Sequence, residues 1–244
     1  VRLGEPVPLP AEPRGLSAHP SGEWLGLYDA EARLSEVNVR TRTLQPLAVQ
    51  TAEKQDRAFG YCSYSPDGTL LVGWGLNLPA FFWDRQAAQV RRPVGSSPTR
   101  VMDVAFYSNV VATVSLQSRI DFLSVPDLKP VVPPIQDSDW LFVGQFSEDG
   151  EHFLSGGRGS RARIWNWRAG ALLCPALQHD HEVFSATFIP GTPWVATGDI
   201  SQQLRFWNHN TGLPVHPPVG QGSKVMQLVA TPDGRSLLRA NFHS

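Results

Sequence analysis

A turn signal recurs along this chain at a nearly fixed interval. It reads Pro20-Ser21-Gly22, Ser65-Pro66-Asp67-Gly68, Ser108-Asn109, Ser147-Glu148-Asp149-Gly150, Pro190-Gly191 and Thr231-Pro232-Asp233-Gly234. About 15 residues after each of the first five comes an apolar stretch that ends in a large anchor and a small polar residue. The best copies are Phe81-Phe82-Trp83-Asp84, Arg163-Ile164-Trp165-Asn166 and Leu204-Arg205-Phe206-Trp207-Asn208. Weaker ones are Leu34-Ser35-Glu36-Val37-Asn38 and Ile120-Asp121-Phe122-Leu123-Ser124. The anchors fall at 37, 83, 123, 165 and 207, with spacings of 46, 40, 42 and 42 residues. A period of this length means one supersecondary unit used repeatedly, and such units bury their apolar surface against one another.

The copy from His179 to His216 shows what the unit contains. Val183–Phe188 reads as an inner strand, Trp194–Gly198 as a second, Leu204–Asn208 as a third and Leu213–Val219 as an outer strand. The prolines of the last segment suit an edge, because proline cannot donate to a central ladder. Phe206 and Trp207 are adjacent, so they point to opposite faces of the sheet. A sheet with one wet face would not carry both. The sheet must be packed between two neighbours.

Four short strands per unit of about 40–45 residues resemble the WD40-repeat β-propeller family. The resemblance runs over essentially the whole chain and implies an all-β propeller with about six blades, or a piece of a seven-bladed or longer parent. The expected layout assigns 1–10 to the outer strand of an upstream blade. Full repeats follow at 11–50, 51–95, 96–136, 137–178 and 179–220, and 221–244 is incomplete. The family also implies a buried relay from a His before the inner strand, through a Ser or Thr on the second, to the Trp of the third. By spacing these slots hold His179, Thr197 and Trp207. The relay's Asp slot holds Ser201, with Asp199 nearby as a substitute. In the preceding copy Ser155 and Trp165 match, while Asp137 takes the His slot and Gly159 the Asp slot. The copy before that keeps only Thr113, with Leu123 in place of Trp. The first two copies keep little beyond Trp83.

Other chemistry is sparse. The net charge of −1 lacks the basic excess that offsets phosphates, so no nucleic acid is expected. No apolar run has the length of a membrane helix, no leader opens the chain, and a cytoplasmic location is expected. Cys62 and Cys174 lack metal-ligand spacing and read as reduced structural residues, with a single bridge as the alternative. His179-Asp180-His181-Glu182 places two imidazoles close enough to reach one zinc ion, but falls short of a full ligand set. Ser155-Gly156-Gly157-Arg158-Gly159-Ser160-Arg161 offers an anion nest, or a glycine-rich turn between strands. Asp67, Asp149 and Asp233 are explained as turn residues. No catalytic set emerges, and no cofactor is expected.

What the resemblance leaves is a surface. WD40 domains bind proteins or peptides where the loop before each inner strand meets the loop between second and third strands. Here those loops carry Trp140, Arg158, Arg161, Asp180, His181 and Gln202. The outer segment Gly212-Leu213-Pro214-Val215-His216-Pro217-Pro218-Val219 resembles bacterial repeats that accompany serine/threonine kinases and other signalling modules. The expected function is a non-catalytic scaffold or sensor for a protein or peptide. The alternative is a propeller enzyme or metal-dependent binder that uses the central channel and the His179–Glu182 segment.

Overall fold

The computed structural model describes residues 7–31, 33–50, 60–75, 79–94, 100–220, 222 and 225–240. Among them every regular element is a strand, and every strand pairing is antiparallel. The first sheet comprises Pro13–Ala18, Trp24–Asp29, Arg33–Asn38 and Leu44–Gln50. The second comprises Gly60–Tyr64, Leu70–Gly75, Phe81–Asp84 and Gln89–Arg91. Val101–Tyr107, Val110–Ser115, Arg119–Ser124 and Ile135–Gln136 make the third. Leu141–Phe146, His152–Gly157 and Arg161–Asn166 begin the fourth, whose third strand also pairs with Ala171–Leu172 and Leu177–Gln178. The fifth has Val183–Phe188, Trp194–Asp199, Gln203–Asn208 and Val219–Gly220. Gln227–Ala230 and Leu237–Ala240 form the two-stranded sixth.

The recurring turn signal has a side-chain cause. Ser65 Oγ donates to Asp67 Oδ1 at 2.6 Å and accepts from the Leu70 amide at 2.9 Å. The Ser147–Asp149–His152 turn repeats these bonds at 2.6 and 2.9 Å, and Thr231–Asp233–Ser236 at 2.5 and 3.0 Å. A hydroxyl and a carboxylate two residues apart thus satisfy the turn's amides before the second strand begins.

Sheets that follow in sequence pack face to face, and the third strand of each explains how. Trp83, Leu123, Trp165 and Trp207 reach back into the core shared with the preceding sheet. Trp83 packs with Tyr28 and Leu34, Leu123 with Leu70 and Phe82, Trp165 with Ile120 and Phe122, and Trp207 with Leu154 and Ile164. The residue before each anchor reaches forward. Phe82 joins Val101 and Val111, Phe122 joins Leu141 and Phe153, Ile164 joins Val183 and Val195, and Phe206 packs beside Val225 and Leu228. The period-two alternation of a strand therefore serves two cores at once. The third–fourth seam is rich in aromatic rings: Phe122 stands edge-on to Phe153 at 5.2 Å and stacks on Trp167 at 4.8 Å.

The outer segments differ from expectation. Leu213–Val219 is not one continuous strand. Trp207 bridges Pro214, the Val215 amide donates to Phe206 O at 2.9 Å, and regular pairing resumes only at Val219–Gly220. Pro214, Pro217 and Pro218 have no N–H to give, so the ladder breaks between them. Residues 7–10, with Pro8 and Pro10, form no strand for the same reason, and residues 1–6 of that expected strand lie outside the described residues. The expected second and third strands of the fifth sheet each gain one residue, ending at Asp199 and starting at Gln203.

Trp207 tests this packing. It is buried and touches the preceding sheet, so Trp207→Ala should lower unfolding stability by about 3–5 kcal/mol. Denaturant titration measures it, and a loss under about 1 kcal/mol would place the third strand outside the core.

Candidate functional site

The loop end of the sheets is held by buried polar contacts. In the fifth sheet, Trp207 Nε1 donates to Thr197 Oγ1 at 2.8 Å, and Thr197 Oγ1 lies 2.7 Å from His179 Nε2. His179 Nδ1 lies 3.0 Å from Asp199 Oδ2. The carboxylate only accepts, so Nδ1 donates to it, and Thr197, which accepts from Trp207, can donate its hydroxyl to Nε2 of a neutral imidazole. Asp199 takes the acidic slot, while Ser201 donates to its Oδ1 at 2.6 Å. Burial drives the His179 imidazole below its usual pKa, outweighing the opposing pull of Asp199. Burial raises the Asp199 carboxyl, but Ser201, His179 and the Gln203 amide together bring it below the usual range.

The fourth sheet solves the same problem with a charge pair. Trp165 Nε1 donates to Ser155 Oγ at 2.9 Å, and Asp137 in the His slot meets Arg163 NH1 at 2.7 Å. Arg163 also reaches Ser138 at 3.0 Å and Asp139 at 3.1 Å. In the third sheet, Leu123 has no N–H to offer, and Thr113 Oγ1 is buried without a partner. At the first–second seam, Glu36 accepts from Tyr64 Oη at 2.5 Å and Arg85 Nε at 2.6 Å.

These contacts set the loops from which the candidate face is built. Trp140, 45% exposed, precedes the fourth sheet's inner strand. The Arg158 guanidinium lies over its ring at 4.7 Å and reaches Glu182 of the next sheet's loop at 3.5 Å. The Arg158 amide also donates to Trp140 O at 2.9 Å, closing the two loops together. This approach requires glycine, since a Cβ on Gly157 would lie 1.8 Å from Trp140 O. Asp180 pairs with Arg205, which also donates to Gln178 O at 3.2 Å. Arg161, His181 and Gln202 are exposed on the same loops. Ser118, Ser160 and Gln202 hold equivalent turn positions with φ of 61°, 54° and 73°. Left-handed backbone without glycine marks a rigidly determined turn.

Sequence reasoning missed Phe142 and Phe184, the second residues of consecutive inner strands, which stack at 4.8 Å beside this face. It also missed Arg163 and Arg205, which hold the loops from below. Their shared position two residues before each tryptophan was the available signal. The glycine-rich turn is occupied by the chain itself, because a Cβ on Gly159 would meet Asp139 Oδ2 at 2.1 Å. That disfavours the anion-nest reading. The zinc reading of His179–Glu182 fares no better, because both nitrogens of His179 are engaged in the relay. Cys62 and Cys174 are free, buried and in different cores.

The neutral relay imidazole carries a sign. Its folded pKa lies below the unfolded value of about 6.5, so its stabilisation is complete above that pH and is lost as pH falls through the folded value. On acidification from about pH 7.5 to about pH 5.5, the melting temperature of the wild type should fall relative to that of His179→Asn. The buried Asp103 carboxyl, pushed up to about 7, shifts stability the opposite way, but does so in both proteins. Equal pH responses in thermal melts would contradict a neutral His179.

Residues 174–208 match the WD domain, G-beta repeat family, a span that holds His179, Thr197 and Trp207. No curated protein matches the chain in sequence. Among solved structures it is similar to a chain of the "Crystal Structure of Mitotic Checkpoint Complex", at 20% identity and a TM-score of 0.78, over 93% of this chain and 71% of that one. At that identity the likeness is one of fold. Repeat, relay and sheet stacking converge with it: the chain folds as a WD40-type β-propeller of about six blades.

Proposed function

We propose that the chain is a non-catalytic scaffold or sensor that binds a protein or peptide on the loop face around Trp140. One observation carries this reading: a tryptophan stands exposed, its ring held by Arg158, on loops that the relay and ion pairs keep rigid. Tryptophan and arginine are the residues that most often dominate interface energetics. A pre-ordered side chain also loses less entropy on binding. Asp180, His181, Arg161 and Gln202, exposed on the loops of the same end, supply the polar groups of a rim. The balanced charge favours a protein partner over a nucleic acid. Among the described residues no helix is long and apolar enough to cross a membrane.

The wider context belongs to the same proposal. A cytoplasmic setting is supported by two buried free thiols, with burial pushing Cys62 up to about 12. A role as one module of a bacterial signalling protein, such as a serine/threonine kinase, is supported by the proline-rich Gly212–Val219 segment. Fold-level analogy alone warrants that step.

The test is affinity capture from host lysate with the wild-type domain and a Trp140→Ala/Arg158→Ala variant. Both side chains are surface groups, so the variant should fold, as circular dichroism checks. The wild type should retain partners that the variant loses. Identical captured sets would remove this face from the account.

A further inference from the structure

At the end of the molecule opposite Trp140, the fourth and fifth sheets part. A groove of about 650 Å³ opens between the turn after the fourth sheet's inner strand and the matching turn of the fifth. Two other seams are closed at this level. The His19 ring meets Gly68 O at 3.2 Å between the first and second sheets, and Tyr107 Oη donates to Asp149 O at 2.6 Å between the third and fourth. The fourth–fifth groove is lined instead by Phe188, Ile189 and Pro190 on one wall, with His209 at its floor, and by Asp149 and His152 on the other.

Its chemistry points to a cation. The lining holds the carboxylates Glu148 and Asp149 and the imidazoles His152 and His209, and contains no lysine or arginine. Asp149, Glu151 and His152 each offer one ligand atom, all within 4.8 Å of one another. Two ligands on one zinc ion sit roughly 3–3.5 Å apart, given bonds of about 2.0–2.2 Å, so these side chains, two exposed and one half-buried, need only a small adjustment. Asp149 is already oriented: Ser147 Oγ and the Glu151 amide donate to its Oδ1 at 2.6 and 3.0 Å. Such outer contacts commonly aim a ligating carboxylate.

The second and independent feature is His209, which comes from the other sheet. Its Nδ1 is buried and has no hydrogen-bond partner, an arrangement that costs free energy unless something answers it. Its ring lies 6.0 Å from that of His152.

We propose that Asp149, Glu151, His152 and His209 form a site for one divalent transition-metal ion of the zinc class, bridging the fourth and fifth sheets. Two imidazoles among the ligands select borderline ions such as zinc or cobalt over magnesium. The site departs from the expectation of a metal-free chain, and it is distinct from the His179–Glu182 segment.

Calorimetric titration with zinc chloride tests it on the chain as it stands. The wild type should bind about one ion, and magnesium should give no heat. His152→Ala and His209→Ala should each weaken zinc binding at least about tenfold, as loss of one ligand does. Glu151→Gln, at an exposed position, serves where a histidine variant fails to fold. Cobalt(II) supplies a readout that needs no variant: ligand-field absorption in the visible should appear on binding to the wild type. Absent zinc binding, binding that all three variants retain unchanged, or a colourless cobalt titration would overturn the assignment.

Discussion

The second to fifth sheets of this propeller each depend on two consecutive side chains of the third strand, one facing back and one facing forward. Phe82–Trp83, Phe122–Leu123, Ile164–Trp165 and Phe206–Trp207 each place large apolar groups on opposite faces, and both are shielded only when a neighbour stands on each side. Full burial of one such side chain is worth roughly 1.5–3 kcal/mol, which an isolated sheet would forfeit on both faces. The repeat therefore specifies association between sheets as firmly as it specifies the sheets themselves. Loops at either end are carried by this stacked frame, which is why they can hold a side chain such as Trp140 in the open.

Polar contacts then differentiate the seams. The fifth sheet pins its loops with a neutral Trp–Thr–His–Asp chain, the fourth with the Asp137–Arg163 pair, and the first–second seam with Glu36 shared between Tyr64 and Arg85. The relay chain and the Glu36 cluster leave their buried groups satisfied, as low-dielectric surroundings demand, whereas Asp137 keeps one buried oxygen, Oδ2, without a partner. Where one partner is replaced, the cost shows. Leu123 leaves Thr113 Oγ1 unanswered, a penalty of about 1–3 kcal/mol that packing at that seam must offset. Identical backbones thus carry different surfaces at the two ends, aromatic and basic around Trp140, acidic and imidazole-bearing in the fourth–fifth groove.

What could be read from the sequence is what lies close along the chain. The Ser-x-Asp-Gly turns and the inner, second and third strands arise from contacts within one unit, and the anchor period marks the repetition of that unit. His179, Thr197 and Trp207 were placed by spacing because the relay spans a single repeat, and Asp199 stands where a nearby substitute was expected. The outer strands were overdrawn, because an apolar-proline pattern conceals how many N–H groups remain to pair. Contacts between repeats were invisible: Arg158 over Trp140 with Glu182 beyond, Phe142 on Phe184, and above all His152 facing His209. Those depend on how one sheet is rotated against the next, which no local pattern encodes.

The central claim is that adjacent sheets stabilise one another through direct side-chain contact across the seam. A double-mutant cycle on Phe122→Leu and Phe153→Leu measures that contact, since the two rings meet edge-on at 5.2 Å from different sheets. Denaturant unfolding of the wild type, both single variants and the double variant should return a coupling energy of about 0.5–1.5 kcal/mol. Losses that add to within about 0.3 kcal/mol would contradict the account, because the rings would then be stabilised independently.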